Sequence, residues 1–206
     1  MTKELCRVGI LGVGSCVPEK VMTNEELQKM VDTSDEWIVK RTGIHERRIL
    51  GEQESILTLA VDAAKAALKN AGISGDKIGL ILVTTATPDY YSPSIASRIQ
   101  IPIGVGNCAA FDLNAACTGF LYALDIAEKY LTQDKSNVLI ISAEVVSKRV
   151  DWQDRRTCVL FGDGAGACVA TKGDSLKYLN LTVQGDSKTI NSPIGTGNSP
   201  FISEQK

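Results

Sequence analysis

Apolar runs alternate with amphipathic segments along most of the chain, and this alternation predicts an α/β fold. Helical spacing of apolar residues predicts helices at 55–71 and 118–129, and Gly72 ends the first of them. The predicted strands, in which aliphatic or β-branched residues dominate, are 7–13, 80–85, 109–113, 138–142, 168–171 and 176–184. Strands that alternate with helices form a largely parallel sheet with helices packed on its faces. The strand at 80–85 is apolar throughout, so we expect it to be buried on both faces.

Capping residues predict shorter helices near the N-terminus. Thr23 has the spacing of a capping box with the glutamates that follow it, and it opens a helix over 24–29. Ser34 caps a second helix from 35 to about 41, and Gly43 ends it.

Proline and glycine place the predicted loops. A proline-containing loop at 87–93 leads to a short helix around 94–100, and the glycine-rich segment 162–167 is predicted to be a turn before a strand. Residues 191–206 are rich in Gly, Ser, Pro and Asn, which indicates a loop.

Gly12-Val13-Gly14 follows the first predicted strand and begins like a dinucleotide-binding fingerprint. The third glycine is missing, however, and Pro18 stands where a helix would already be under way. We therefore predict no nucleotide site at this loop.

Composition indicates an ordinary globular protein with no nucleic-acid or membrane role. The chain has 206 residues, of which 44% are hydrophobic and 22% charged, a balance that supports a packed core. The net charge is −2 and the basic residues are scattered, which argues against a nucleic-acid surface. No apolar run is long enough to span a membrane, and no signal segment begins the chain, so we predict a cytoplasmic location.

The six cysteines do not form a metal site by their spacing. No Cys-x-x-Cys pair occurs and the chain has one histidine, so no metal is expected. In a reducing compartment most cysteines are small, buried and inert, and that is the ordinary expectation for each one. Cys117 departs from this expectation because of its position.

Cys117 lies in the segment Asn114-Ala115-Ala116-Cys117-Thr118-Gly119-Phe120, between the strand at 109–113 and the helix at 118–129. It therefore falls at the first turn of a helix, behind small residues that leave room for a substrate. Unpaired amides and the positive end of the helix dipole favour an anion there. A thiolate is a nucleophile toward acyl groups, so we predict this role for Cys117.

Three segments resemble the signature of the β-ketoacyl-acyl-carrier-protein synthase III family, within the thiolase-like superfamily. They are Asp35–Ile44 followed by Arg47-Arg48, Asn114–Phe120, and Phe161–Ala167, in the family's order and at its approximate spacing. The resemblance extends over nearly all of residues 1–206. The Trp-Ile-x-x-Arg-Thr-Gly-Ile segment points to this branch and not to the thiolases.

The resemblance implies a thiolase-like αβαβα five-layer sandwich of two similar halves, of which this chain resembles the first. We expect residues 1–172 to form this N-terminal half, with a mostly parallel mixed sheet, and 173–206 to begin the connection to a second half absent from this chain. The family's catalytic His and Asn lie in that second half. Gly197-Asn198-Ser199-Pro200 is in the wrong context to supply that Asn, and His45 lies in the substrate-entrance segment.

The resemblance further implies the chemistry of Cys117. Its sulfur would take the acyl group of acetyl-coenzyme A, and the carbanion from malonyl-acyl-carrier protein would then condense with it as carbon dioxide leaves. The backbone N–H of Cys117 would donate to the oxyanion. Acyl-coenzyme A is then a substrate, and no permanently bound cofactor is expected. A homodimer and an acyl-carrier protein are the implied partners.

Several residues resemble the family's coenzyme-binding set. Trp37 and Arg155 resemble the pair that holds the adenine, and Arg41 resembles the residue that meets the phosphates. Thr33 and Thr42 would add hydrogen bonds. Without the resemblance, the favoured interpretation of Trp37 is helix packing, and that of Arg41, Arg47 and Arg48 is a solvated cationic face.

Ser92 stands in the loop that, by resemblance, crosses the dimer and lines the partner's acyl pocket. A small residue there predicts tolerance for acyl primers beyond acetyl. The glycines of 162–166 either let the backbone pass close beside the catalytic cysteine or form a plain turn, and no chemistry is assigned to them.

Three functions stay open at this point. The first is the initiating condensing enzyme of fatty-acid synthesis, and the second is a related enzyme of secondary metabolism with another starter or acceptor. The third is a non-catalytic interaction subunit. Loss of the His and Asn would favour it if the chain were complete, and against it argues the retention of Cys117, Trp37, Arg41 and Arg155. Because the His and Asn are missing, we expect residues 1–206 alone to be acylated but unable to condense.

Overall fold

A five-stranded sheet with helices on both faces forms the centre of the molecule. The computed structural model describes residues 8–133, 137–176 and 179–186. The strands are β1 (Val8–Cys16), β2 (Val21–Thr23), β3 (Glu46–Arg48), β4 (Ile78–Thr84), β5 (Ala109–Leu113), β6 (Asn137–Val145) and β7 (Asp163–Lys172). The helices are α1 (Asn24–Leu27), α2 (Asp35–Thr42), α3 (Ile56–Ala71), α4 (Ile95–Ile99) and α5 (Gly119–Gln133), with 3-10 turns at 75–77, 116–118 and 146–148.

The central sheet is mixed, with strand order β1-β7-β6-β4-β5. Strand β4 pairs in parallel with both β5 and β6, whereas β7 is antiparallel to β6 and to β1. Four of the strands therefore run in one direction and β7 opposes them, which confirms the mostly parallel mixed sheet. Strands β2 and β3 form a separate antiparallel pair.

Strand β4 is buried on both faces, as predicted. Ile81 and Val83 pack into the core under α3, and Leu80 and Leu82 pack into the core under α5. All four side chains are essentially inaccessible to solvent. Apolar area removed from water is the dominant stabilising term, and here it lies on both sides of one strand.

The predicted helix limits are confirmed where caps mark them. Ser34 Oγ accepts a hydrogen bond from Trp37 N at 3.1 Å at the start of α2, and the left-handed Gly43 ends that helix. Ser55 caps α3, and Gly72, with φ of 67°, ends it. An oxygen acceptor at the first position and a glycine after the last are the usual helix ends.

The glycines of Gly12-Val13-Gly14 bring α3 close to the sheet. A Cβ at Gly12 would lie 2.4 Å from Ala71 N, and one at Gly14 would lie 2.3 Å from Ala67 N. Strand β1 continues through these glycines to Cys16 and does not end at Val13 as predicted. Helix contact accounts for both glycines, so the pattern needs no bound nucleotide to explain it.

Two predictions of secondary structure are wrong. The predicted turn at 162–167 is mostly strand, because Gly164 and Gly166 pair with β6 on one side and Gly166 with β1 on the other. Residues 176 and 179–184 do not form the predicted strand, and Leu176 and Leu179 pack onto the core on the α5 side. The tail at 191–206 lies outside the described residues.

Within the described ranges, the helices are too short or too polar to span a bilayer.

Candidate active site

Cys117 lies in a tight turn between β5 and α5. Ala116–Thr118 forms a single 3-10 turn, and α5 begins at Gly119, so the thiol stands just before the helix. The Thr118 N–H and hydroxyl both donate to Ala115 O, at 3.2 and 2.7 Å. Asn114 Oδ1 accepts from Ala116 N at 3.3 Å. These short-range bonds fix the turn, and the Cys117 side chain is exposed.

Ala116 has a left-handed backbone with φ of 46°, and in the described residues no other non-glycine has positive φ. This conformation costs roughly 1–2 kcal/mol for a residue with a Cβ. Such strain persists only where surrounding contacts hold it, and it occurs often at functional sites. The strained residue comes directly before the predicted nucleophile.

Gly119 allows α5 to begin against β4. A Cβ at Gly119 would lie 3.0 Å from Thr84 Cβ, closer than nearly all real contacts of that kind. The first turn of α5 therefore sits tightly on the end of β4. The Thr-Gly-Phe part of the motif positions the helix, and the helix positions the cysteine.

Cys117 opens onto a cavity of about 470 Å³ at the carboxyl ends of the parallel strands. Ligands bind at this edge in α/β sheets because the loops there are free to form a crevice. The cavity is lined by Thr84, Ala86, Thr87, Asn114, Ala116, Cys117, Phe120, Ser142, Glu144, Val146 and Arg149.

A polar network that was not predicted from the sequence lies on the wall of this cavity. The Glu144 carboxyl accepts from Ala86 N at 2.7 Å and from Thr87 Oγ1 at 2.6 Å, and Thr87 Oγ1 accepts from Val145 N at 2.8 Å. The signal in the sequence that could have indicated this network is Glu144, an acidic residue near the end of the apolar strand β6. The network ties the loop after β4 to the end of β6.

A second cluster contains Trp37, Arg41 and Arg155, which lie outside the sequence segment of Cys117. The Arg41 guanidinium carbon lies 4.3 Å from the Trp37 ring centroid, and that of Arg155 lies 4.9 Å from it. Arg155 Nη1 also donates to Asp32 O at 3.0 Å. The two distances between a guanidinium carbon and the Trp37 ring centroid are in the range of cation–π attraction.

The two predicted threonines differ in their hydrogen bonds. The Thr42 hydroxyl donates to Ile38 O at 2.8 Å and accepts from Ile44 N at 3.0 Å, so its proton already has an acceptor. The Thr33 hydroxyl oxygen is buried and finds no partner in the part of the chain that is described.

The interpretation of a solvated cationic face is wrong for Arg47, because this side chain is buried. It is 6% exposed, and its guanidinium donates to Asn24 Oδ1 at 2.6 Å and to Met22 O at 3.2 Å. Burial lowers its pKa from the ordinary arginine value. Arg48 is also engaged, since its Nη1 donates to Pro18 O at 3.1 Å. Nothing in the pattern distinguished Arg47 from its neighbours.

Ser92 is exposed in the loop before α4 and does not line the Cys117 cavity of its own chain. An ion pair between Asp89 and Arg98, at 2.7 Å, braces that loop, and the Arg98 guanidinium lies 4.6 Å from the Tyr90 ring centroid. His45 is exposed, and its carbonyl accepts from Asn24 N at 3.2 Å. Residues 197–200 lie outside the described residues.

Cys158 and Cys168 are buried, whereas Cys117 is exposed and Cys16 is partly buried. Burial raises the pKa of Cys158, and it raises that of Cys168 to about 11. Burial, with Asp62 and Glu54 nearby, also raises the pKa of Cys16. No group of three or more His, Cys, Asp or Glu side chains in the described ranges could hold a metal ion.

Known proteins are similar to this chain in sequence and in structure. The family model described as 3-oxoacyl-[acyl-carrier-protein (ACP)] synthase III matches residues 111–187. The β-ketoacyl-[acyl-carrier-protein] synthase III of Clostridium acetobutylicum is 52% identical over 168 residues, which are 81% of this chain and 51% of that protein. The chain thus spans about half the length of the curated relatives it matches.

Solved structures are similar over the same region. The 3-oxoacyl-[acyl-carrier-protein] synthase III of Aquifex aeolicus matches with a TM-score of 0.78 and 50% identity, over 82% of this chain and 55% of that one. The priming β-ketosynthase of the R1128 polyketide biosynthetic pathway matches with a TM-score of 0.79 and 37% identity, over 85% of this chain and 53% of that one.

Proposed function

Because the chain belongs to the β-ketoacyl-[acyl-carrier-protein] synthase III family, we propose that it forms the acyl-accepting half of an initiating condensing enzyme. The observation on which this depends is Cys117, exposed on a cavity at the carboxyl edge of the sheet and preceded by a strained residue. A thiol in that position is accessible to a thioester carbonyl and lies just before the first turn of α5.

The proposed first step is transfer of an acyl group to Cys117. The sulfur attacks the carbonyl carbon of acyl-coenzyme A, the carbon–sulfur bond to the coenzyme breaks, and the coenzyme thiolate takes a proton. The exchange of one thioester for another is nearly balanced in energy, so the acyl group remains available for transfer.

The proposed second step is condensation. Malonyl-acyl-carrier protein loses carbon dioxide, the resulting carbanion attacks the acyl-Cys117 carbonyl, and the Cys117 sulfur leaves and regains a proton. The His and Asn that would stabilise the carbanion belong to the family's second half. Residues 1–206 alone therefore accept the acyl group but do not condense it.

The coenzyme is proposed to bind at Trp37, Arg41 and Arg155, with Thr33 and Thr42 adding hydrogen bonds. An adenine between an indole and a guanidinium needs about 3.5 Å on each side, about 7 Å in all. The present separation of 4.9 Å between the Arg155 guanidinium and the Trp37 ring is smaller. The Arg155 side chain must then move outward by about 2 Å to admit the base.

Exposed apolar side chains on the α5 side support a covering second half. Ile10 and Val13 of β1 are 42% and 58% exposed, and Phe120 and Leu121 of α5 are 38% and 42% exposed. Large apolar side chains left exposed on one side of a sheet favour an interaction site there. We propose that the segment with the His and Asn packs there, in a cytoplasmic homodimer that receives malonyl groups from an acyl-carrier protein.

Mass spectrometry of the full protein after incubation with acetyl-coenzyme A tests the proposal. We expect one added acetyl group on Cys117, no addition in Cys117→Ala, and normal addition in the matched variant Cys108→Ser. Ketoacyl product should require malonyl-acyl-carrier protein and the second half. Acetylation that persists in Cys117→Ala, or condensation by residues 1–206 alone, would contradict the proposal.

Acyl-primer selection by Ser92 is a further part of the proposal. The small side chain would leave the partner's pocket roomy, so isobutyryl-coenzyme A should be used at a rate within about tenfold of acetyl-coenzyme A. Ser92→Phe should restrict use to acetyl. Strict acetyl preference in the unmodified protein would count against this assignment.

A further inference from the structure

The Phe161–Ala167 motif contains a buried acidic residue to which no chemistry has been assigned. Asp163 begins β7 and is 6% exposed. Its carboxyl group accepts three hydrogen bonds, from Leu50 N at 2.7 Å, from Ser147 N at 2.9 Å and from Ser147 Oγ at 2.6 Å. A buried carboxyl with this many donors is strongly held, and it connects two segments far apart in sequence.

One of these segments leads to Arg155. Ser147 lies in the 3-10 turn after β6, and its carbonyl accepts from Trp152 Nε1 at 3.0 Å. The loop continues through a turn in which Asp154 N donates to the carbonyl of residue 151 at 3.1 Å. Arg155 follows directly. Asp163 therefore fixes Ser147, and Ser147 fixes Trp152, three residues before Arg155.

The other segment leads to Trp37. Leu50 follows β3, and β3 follows α2, the helix that contains Trp37. Close backbone approach reinforces this connection, because a Cβ at Gly162 would lie 2.9 Å from Arg48 O. Only a glycine fits so near a carbonyl oxygen. Trp37 and Trp152 also pack against the same small core of Leu27, Ile38, Cys158 and Val159.

We propose that Asp163 is a positioning residue for coenzyme binding, because it holds the segments of Trp37 and Arg155 in register. This inference rests on the proposed binding of the coenzyme at these two side chains. Asp163 does not line the Cys117 cavity, so its effect should fall on coenzyme recognition and not on the thiol.

Two thioesters separate these effects in the full protein. Acetyl-coenzyme A has the adenine, and S-acetyl-N-acetylcysteamine offers the same thioester without it. In Asp163→Asn, the amide has one acceptor oxygen, so either Leu50 N or Ser147 N loses its partner. We expect KM for acetyl-coenzyme A to rise about tenfold, while kcat/KM for the truncated thioester stays within about twofold.

Gentler variants keep the proposal testable if Asp163→Asn folds poorly. Trp152→Phe retains an aromatic ring but removes the bond to Ser147 O, and Ser147→Ala removes the hydroxyl bond to Asp163. Both should raise KM for acetyl-coenzyme A by about threefold to tenfold. Gln153→Ala is the matched control, since that side chain is exposed and has no hydrogen bond to the described residues.

An equal loss with both thioesters in Asp163→Asn or Trp152→Phe would overturn the proposal, because it would show general damage to the fold. Unchanged KM for acetyl-coenzyme A in Trp152→Phe and Ser147→Ala would also overturn it. Failure of the proposed function itself is distinguishable, since the unmodified protein would then acquire no acetyl group from either thioester.

Discussion

The turn around Cys117 and the cluster of Trp37 with Arg155 are built in different ways. The turn around Cys117 lies within the seven-residue segment 114–120, and its hydrogen bonds join residues two or three positions apart. The cluster of Trp37 with Arg155 includes a hydrogen bond between Arg155 and Asp32, which are 123 positions apart. The first region depends on local backbone geometry and the second on how distant loops are held. Damage to each should therefore affect a different kinetic constant.

The largest expected effect comes from moving the Cys117 turn. Gly119→Val would push a branched side chain toward Thr84, where a Cβ already lies at 3.0 Å. A displacement of about 1 Å at a reacting group can cost about a hundredfold in rate. We expect the rate of Cys117 acylation to fall to that degree with both acetyl-coenzyme A and the truncated thioester.

Gly106→Val is the matched control, because no atom would lie within 4 Å of a Cβ at Gly106. Rapid quench followed by mass spectrometry measures the acylation rate. Loss confined to acetyl-coenzyme A in Gly119→Val would show that the two regions are not independent.

A smaller effect is expected from substitutions in the cluster of Trp37 with Arg155. Arg155→Ala removes the guanidinium that lies 4.9 Å from the Trp37 ring, and we expect KM for acetyl-coenzyme A to rise about tenfold. Acylation by the truncated thioester should stay unchanged. Arg156→Ala is the neighbouring control, since Arg156 is exposed and pairs with Asp154 at 2.9 Å. Equal effects of the two variants would argue against a specific role for Arg155.

The smallest expected effect is on stability at Ala116. Ala116→Gly removes the strain of a Cβ at φ of 46°, and the greater flexibility of unfolded glycine offsets part of the gain. We expect the free energy of unfolding to rise by less than about 1 kcal/mol.

Gly104→Ala makes the opposite change, because Gly104 has φ of 68° with open space around it. We expect it to lower the free energy of unfolding by about 1 kcal/mol. Denaturant unfolding measures both variants. A lower midpoint for Ala116→Gly would show that neighbouring contacts, and not strain, dominate at this turn.

Local signals explain which elements could be predicted from the sequence. The caps at Ser34 and Ser55 and the stops at Gly43 and Gly72 act within a single turn of helix, so residue type alone reveals them. The segment 162–167 shows the opposite case. Its glycines suggested a turn, yet pairing with strands β1 and β6 on either side makes most of it a strand.

The site was predictable in part for the same reason. The Cys117 position follows from a strand, small residues and a helix in succession, and the motif resemblance supplied the residues that are proposed to bind the coenzyme. Burial of Arg47 and the bonds to Glu144 were not predictable, because their partners come from other elements. Hydrogen bonds between residues far apart in the sequence produce no periodic pattern of residue types along the chain.

Signals between neighbouring residues were enough to predict most strands of the central sheet, the helix ends at Gly43 and Gly72, and a cysteine placed before a helix. Three features emerge only in the folded molecule: β7 runs against the other strands of the sheet, Asp163 accepts hydrogen bonds from two distant segments, and Trp37 contacts Arg155. These contacts join residues that are far apart along the chain, so each of them depends on the packing of the whole core.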